Sequence, residues 1–271
     1  MDLSKVKLVV TDMDGTLLNS NHEVSDLFFE LFKKLQKHDI HFVAASGRPH
    51  YSIIEKLNPI KDDIIIVAEN GGIVSKNDTI LLSIPIKKNH LHNIEKIVNS
   101  NSQIHPIYCT KSKAYFKNAS HGYIPLLSEY YPNFCVIDSV EAITEDIIKI
   151  ALFHHEDSEK FIFPHFQDLA STYKIILSGK HWVDISDDSA NKGYALNLIQ
   201  KTYHINQEET MAFGDYNNDL EMLKLADYSF AMENAHPNVK NIANFETKSN
   251  DEFGVELILK KLIEAKNGFL D

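Results

Sequence analysis

The sequence predicts an α/β protein with a mostly parallel sheet, into which a separate α+β domain is inserted. Three observations carry this. Over residues 1–83 short apolar runs alternate with amphipathic stretches. Over 84–187 helical and strand-like segments mix without that order, and from 188 the alternation resumes. Strand, helix and strand in succession imply parallel pairing with right-handed crossovers. The expected boundaries are a core of 1–83 with 188–271 and an insert of 84–187.

Residues 7–11, with Leu8-Val9-Val10, form the first buried strand. Ser25 is placed to cap a helix over 26–38, whose Leu27, Phe28, Leu31, Phe32 and Leu35 fall on one stripe. The second strand, 41–45, runs into Ser46-Gly47-Arg48-Pro49, and Pro49 suits the first turn of a helix. The third, 64–68, ends in Glu69-Asn70-Gly71-Gly72. Ile73-Val74 and Ile80-Leu81-Leu82 flank Asn77-Asp78, a hairpin signal. The insert reads as helices at 91–99 and 124–131 and strands at 104–109, 114–116, 134–137, 147–153, 173–177 and 181–185. After it come a helix at 192–203, a strand at 210–213, a helix at 219–225, a strand at 228–231 and a closing helix at 256–265.

The 271 residues suffice for one large or two modest domains. A net charge of −11 argues against broad nucleic-acid binding, which needs a basic face. It leaves a phosphate substrate open, because a local Mg²⁺ and a few Lys or Arg reverse the sign within a site. Cys109 and Cys135 lack CxxC spacing and read as reduced thiols. No apolar run reaches bilayer length, and Met1-Asp2-Leu3-Ser4-Lys5 lacks a signal-peptide core, so a cytoplasmic protein with no membrane partner is expected. The 14 histidines contain no HExxH-type pair and read as surface or packing residues.

The chemistry concentrates in two acidic clusters, Asp12-Met13-Asp14-Gly15-Thr16 and Gly214-Asp215-Tyr216-Asn217-Asn218-Asp219, each directly after an apolar run. Ligands collect at the carboxyl ends of strands in open α/β sheets. If the two strands are neighbours, four carboxylates crowd one volume and call for a hard cation such as Mg²⁺. Asp12 and Asp14, two apart, tend to leave a strand on one face. One can attack phosphorus while the other handles a proton. The alternative is a strand-to-turn exit that uses Asp and Gly as turn formers. Ser46-Gly47 is an anion site or a plain N-cap. Lys192 is a phosphoryl-neutralising charge or an ordinary solvated lysine. Gly214-Asp215 with Asn218-Asp219 is a metal cradle or a loop of capping residues.

Taken in order, DxD, Ser, Lys and GDxxND, the ensemble resembles the haloacid dehalogenase-like (HAD) hydrolases. Asp12-Met13-Asp14-Gly15-Thr16-Leu17-Leu18, Ser46-Gly47-Arg48, Glu69-Asn70-Gly71, Asn191-Lys192-Gly193, Ala231-Met232-Glu233-Asn234-Ala235 and Ser249-Asn250-Asp251-Glu252-Phe253-Gly254-Val255 are similar, more narrowly, to the Cof-type sugar phosphatases. One departure is Phe253, where that family often carries an acidic residue; it lies outside the four catalytic motifs.

The resemblance implies a Rossmann-like core with an α+β (type IIB) cap, and a Mg²⁺-dependent phosphatase acting on small phosphate esters. Sugar phosphates lead, ahead of flavin mononucleotide and pyridoxal phosphate. It implies Asp12 as nucleophile and Asp14 as acid and base, the latter with a raised pKa. Mg²⁺ would be held by Asp12, the Asp14 carbonyl and Asp215, with Asp219 in the outer shell. Ser46, the Gly47 amide, Lys192 and Asn218 would hold phosphoryl oxygens, assisted by the Met13 amide. Arg48 and Asn70 are candidate substrate contacts. A closing cap would select the leaving group; Tyr108, Tyr115, Tyr123, His121, Lys180 and Trp182 are candidates for that contact or ordinary cap packing and surface residues. Two other readings stay open: a phosphohexomutase, told apart by an isomerised product, and a non-catalytic phospholigand-binding protein, which would turn over no phosphate ester.

Overall fold

The structure, a computed structural model, describes residues 2–77 and 79–268 and, for Asn89, the backbone alone. Asp78, in the expected hairpin turn, lies outside the described residues. The chain divides into two compact units: Met1–Arg48, Ser52–Leu82 and Asn191–Asp271 form one, Pro49–Tyr51 and Ser83–Ala190 the other.

The first unit begins with β1 (Leu8–Thr11), whose residues are all buried. Helix α1 (Asp26–Gln36) follows, with Ser25 as its cap: the hydroxyl accepts the Phe28 amide at 3.0 Å. Its stripe buries Phe28, Leu31, Phe32 and Leu35. Then come β2 (His41–Ala45), α2 (His50–Lys56), β3 (Ile65–Ala68), β4 (Ile73–Lys76) and β5 (Thr79–Ser83).

The second unit contains α3 (Lys88–Asn99), β6 (His105–Cys109), β7 (Ala114–Lys117), α4 (Ile124–Tyr130), β8 (Phe134–Ile137) and β9 (Lys149–Phe153). The short helices α5 (Ser158–Phe161) and α6 (Phe163–Phe166) follow, then β10 (Tyr173–Gly179) and β11 (Trp182–Asp187). Its sheet runs β10-β11-β9-β6-β7-β8, antiparallel except for the β7–β8 pair. Alternate residues serve opposite faces. Tyr108, Ile150 and Leu152 pack with Ile94 and Val98 of α3, whereas Ile107, Ala151 and Phe153 pack with Leu127 of α4. Tyr108 is therefore interior, and its hydroxyl donates to Glu95, which also accepts from Lys117. That corrects its candidacy as a leaving-group contact, because its register on β6 turns it into this unit's core.

The chain returns to the first unit with α7 (Lys192–Tyr203), β12 (Thr210–Gly214), α8 (Leu220–Leu223), β13 (Tyr228–Ala231), α9 (Pro237–Ile242), β14 (Phe245–Glu246) and α10 (Gly254–Asn267). The sheet order is β14-β13-β12-β1-β2-β3-β4-β5. From β14 through β3 every pair is parallel, and β4 runs antiparallel to β3. This is the α/β class expected, with β1 flanked by β2 and β12. The helix expected over 219–225 is shorter, because a 3-10 turn at Asn217–Asp219 precedes α8. Helix α9 and strand β14 escape sequence reading, being too short to show a period. Among the described residues no helix is long and apolar enough to cross a membrane.

Candidate active site

Parallel pairing in register brings four strand ends to one edge of the sheet. Thr11 pairs with Phe213 on one side and Ala44 on the other, and Ala45 pairs with Val67. The residues just beyond these ends are Asp12, Asp215, Ser46 and Glu69, at the edge where open α/β sheets collect ligands.

Asp12, Asp215 and Asp219 each offer a carboxylate oxygen within 4.8 Å of the others. Lys192, fully buried at the first turn of α7, donates to Asp12 Oδ1 at 2.5 Å and to Asp219 Oδ1 at 2.7 Å. A lysine at a helix N-terminus faces the positive end of the dipole. Two carboxylates offset that here, while Asn191 supplies the cap by accepting the Tyr194 amide at 2.7 Å. Asp219 is itself fixed: its Oδ2 accepts the amides of Asp215 and Tyr216 at 3.0 and 3.1 Å. Thr16 donates to Asp215 Oδ1 at 3.2 Å. Gly15 has φ +76, and a Cβ there would lie 2.3 Å from Asp215 Oδ2, so only glycine fits this turn.

The electrostatics follow from crowding. Burial, and repulsion from Asp219 and Asp215, push Asp12 well above the ordinary carboxylate range despite Lys192. Burial and Asp219 push Asp215 up to about 6. Burial opposes the charge on Lys192, but Asp12 and Asp219 outweigh it and hold the ammonium above its usual value. Three carboxylates against one ammonium leave two negative charges uncompensated when all are ionised. An all-oxygen, over-charged cluster of this kind fits a hard divalent cation.

Asp14 does not join this group, and the expected cluster of four carboxylates is a cluster of three. Strand β1 ends at Thr11, so period-two geometry no longer governs Asp14. Its carboxylate instead takes two bonds from Arg48, from Nε to Oδ2 at 2.7 Å and from Nη2 to Oδ1 at 2.6 Å. His22 Nδ1 lies 3.4 Å from Oδ1. Burial would raise its pKa, but Arg48, with His22 helping, holds Asp14 below the ordinary carboxylate value. The raised pKa expected for Asp14 is thus not the state of this conformation.

Ser46 is buried, and its hydroxyl accepts the Arg48 amide at 3.1 Å. Gly47 lies against the Asn70 side chain, and Asn218 Nδ2 donates to Asn70 Oδ1 at 2.9 Å. Met13 is buried, with its carbonyl accepting the amides of Thr16 and Leu18 at 3.2 and 2.8 Å. The loop after Asp12 is braced from afar. Asn234 donates to the Gly15 carbonyl at 2.8 Å, Asn250 to that of Leu18 at 2.9 Å, and Asp251 accepts from the Ser20 hydroxyl at 2.6 Å. Thr16, Asn234 and Asn250 lie within the motifs without a task that the sequence assigns, and His22 lies outside them. Their signal is a small polar residue beside each acidic motif, which spacing alone does not connect.

Known proteins resemble this chain over nearly all of its length. The profile of the haloacid dehalogenase-like hydrolases matches residues 9–259. The 5-amino-6-(5-phospho-D-ribitylamino)uracil phosphatase YbjI of Escherichia coli (strain K12) is 27% identical over 97% of this chain and 98% of its own. The crystal structure of SMU.1108c from Streptococcus mutans UA159 superposes with a TM-score of 0.84 at 32% identity, covering 96% of this chain and 99% of that one. The HAD subclass IIB sugar phosphatase BT4131 shares the fold with a TM-score of 0.80 at 21% identity, covering 94% and 98%. The chain belongs to the haloacid dehalogenase-like hydrolases.

Proposed function

We propose that this haloacid dehalogenase-like hydrolase is a Mg²⁺-dependent phosphatase that cleaves small phosphorylated metabolites through an aspartyl-phosphate on Asp12. The observation that carries the reading is the buried contact of Asp12 with Lys192 inside a cluster of three carboxylates. A structural ion pair needs no such excess of negative charge, whereas phosphoryl transfer needs a nucleophile, a cation and fixed positive charge in one place.

Asp12, Asp215 and the Asp14 carbonyl would hold Mg²⁺, with Asp219 positioned by Lys192 and the two loop amides. The cation would supply charge to keep the carboxylates ionised and to draw electron density from the phosphoryl group. Asp12 attacks phosphorus, and the bond to the leaving oxygen breaks as Asp14 delivers its proton there. Asp14 then takes a proton from water, which attacks the aspartyl-phosphate and releases inorganic phosphate. Lys192 keeps its charge throughout and meets a phosphoryl oxygen. Ser46, the Gly47 amide and Asn218 orient the remaining oxygens, with the Met13 amide assisting. Arg48 must release Asp14 before the acid can act, which leaves its guanidinium for the substrate.

The substrate class proposed is a primary phosphate on a polyol or sugar. The phosphoribityl chain in the name of the YbjI relative belongs to that chemistry, as do sugar phosphates and flavin mononucleotide; pyridoxal phosphate is a further candidate. The inserted unit, residues 84–187 in the sequence reading, would select the leaving group. Phosphate release from a panel of such esters, with Mg²⁺ and with EDTA, tests the reading. Metal-dependent release ranks the substrates, and release that EDTA leaves unchanged would contradict it.

A further inference from the structure

The turn Glu69-Asn70-Gly71 is built against ordinary backbone preference. Glu69, Asn70 and Gly71 have φ of +51, +55 and +100. Two successive non-glycine residues in the left-handed region persist only where their surroundings over-determine them. Here the surroundings are the elements to which phosphate-holding groups are assigned. The Glu69 amide donates to the Arg48 carbonyl at 3.1 Å and the Asn70 amide to the Ser46 carbonyl at 2.9 Å. A Cβ on Gly71 would lie 2.3 Å from the Asn191 carbonyl oxygen, so the turn is seated against the start of the Lys192 helix.

The Asn70 side chain completes the brace. A Cβ on Gly47 would lie 3.1 Å from both its amide nitrogen and its oxygen, and that oxygen accepts from Asn218 Nδ2 at 2.9 Å. An asparagine amide has nearly the same shape either way round, and its partners decide which end points where. Asn70 Oδ1 can only accept. It therefore commits Asn218 to presenting N–H groups, and one N–H remains for an anion. With Asn70 Oδ1 removed, Asn218 is free to rotate its carbonyl toward a phosphoryl oxygen, which repels it.

We propose that Asn70 is a positioning residue: it orients the Asn218 amide, and so pre-forms the phosphate pocket. This rests on the phosphatase reading above.

The test is a double-mutant cycle in the full chain with Asn70→Gly and Asn218→Ala. It is read as the Kd of inorganic phosphate by calorimetry in Mg²⁺, and as KM and kcat for p-nitrophenyl phosphate. Glycine keeps the left-handed backbone and deletes only the amide. Asn70→Ser is the second variant should the glycine variant not fold. Each single change is expected to weaken phosphate binding about tenfold, the worth of one charge-assisted hydrogen bond. The double variant is expected to be no weaker than Asn218→Ala alone. Losses that multiply, or an Asn70→Gly protein that binds phosphate like wild type, overturn the proposal. Wild-type turnover judges the phosphatase reading separately. With turnover intact, a multiplicative cycle removes only the role of Asn70. Without turnover the phosphatase reading falls and the phosphate cycle still decides, and a wild type that neither turns over the ester nor binds phosphate overturns both.

Discussion

Asp14 and Arg48 form a two-point ion pair, with bonds of 2.7 and 2.6 Å from one guanidinium edge. The carboxylate assigned the acid role is thus held ionised and turned away from the carboxylate cluster. A general acid works only while protonated, so its step slows as pH rises through its pKa. Arg48→Met removes the group that holds that pKa down in the free enzyme, burial then raises it, and the alkaline limb of kcat/KM against pH moves to higher pH. A pH–rate profile of the variant checks this, and an unmoved limb would count against Asp14 as the acid.

Lys192 is the only cation bonded to Asp12 and Asp219 among the described residues. Lys192→Met leaves two buried carboxylates unpaired, which costs roughly 3–5 kcal/mol of stability. The melting temperature should fall by about 10 °C, and turnover by at least about 100-fold. Mg²⁺ should raise the variant's melting temperature by more than it raises that of wild type, because the carboxylates have lost their built-in cation. Thermal melts with and without Mg²⁺ measure both effects.

Metal binding should be linked to pH through Asp215. Its pKa, ordinarily 3.8, is pushed up to about 6 in the fold. Between those values the folded state holds a proton that the unfolded chain has released. For this group, metal-free stability therefore falls as pH rises from 3.8 toward about 6, and the penalty is complete above that. Mg²⁺ binds the ionised form and competes with the proton. The Mg²⁺-induced rise in melting temperature should be larger at about pH 7.5 than at about pH 5. Equal shifts would separate Asp215 from the metal.

Much of this was legible in the chain. The strand runs, the Ser25 cap and the order of acidic motifs follow from local chemistry, since each depends on residues a few positions apart. What escaped depends on distant partners. The Asp14–Arg48 pair joins residues 34 apart through the side-chain torsions of a turn, which periodicity does not constrain. Asn234 and Asn250 brace a loop more than two hundred residues upstream by bonding its carbonyls, and carbonyls leave no mark in a sequence. Tyr108 is a candidate leaving-group contact by sequence, yet its β6 register puts it against α3.

The glycines give a clean structural check. Gly71→Ala places a methyl group 2.3 Å from the Asn191 carbonyl at φ +100. It should cost roughly 3 kcal/mol and lower turnover by shifting the start of α7. Gly122, where an added Cβ meets nothing within 4 Å, is the control, and Gly122→Ala should leave both unchanged. Chemical denaturation of the two variants side by side would show it.

The central claim, that Asp12 carries the phosphoryl group, is tested most directly by inorganic phosphate release from sugar phosphates in Mg²⁺ by wild type and Asp12→Asn. The account predicts Mg²⁺-dependent release by wild type and none by the variant, with the variant's melting curve showing it still folded. Near-normal release by a folded Asp12→Asn protein would contradict it.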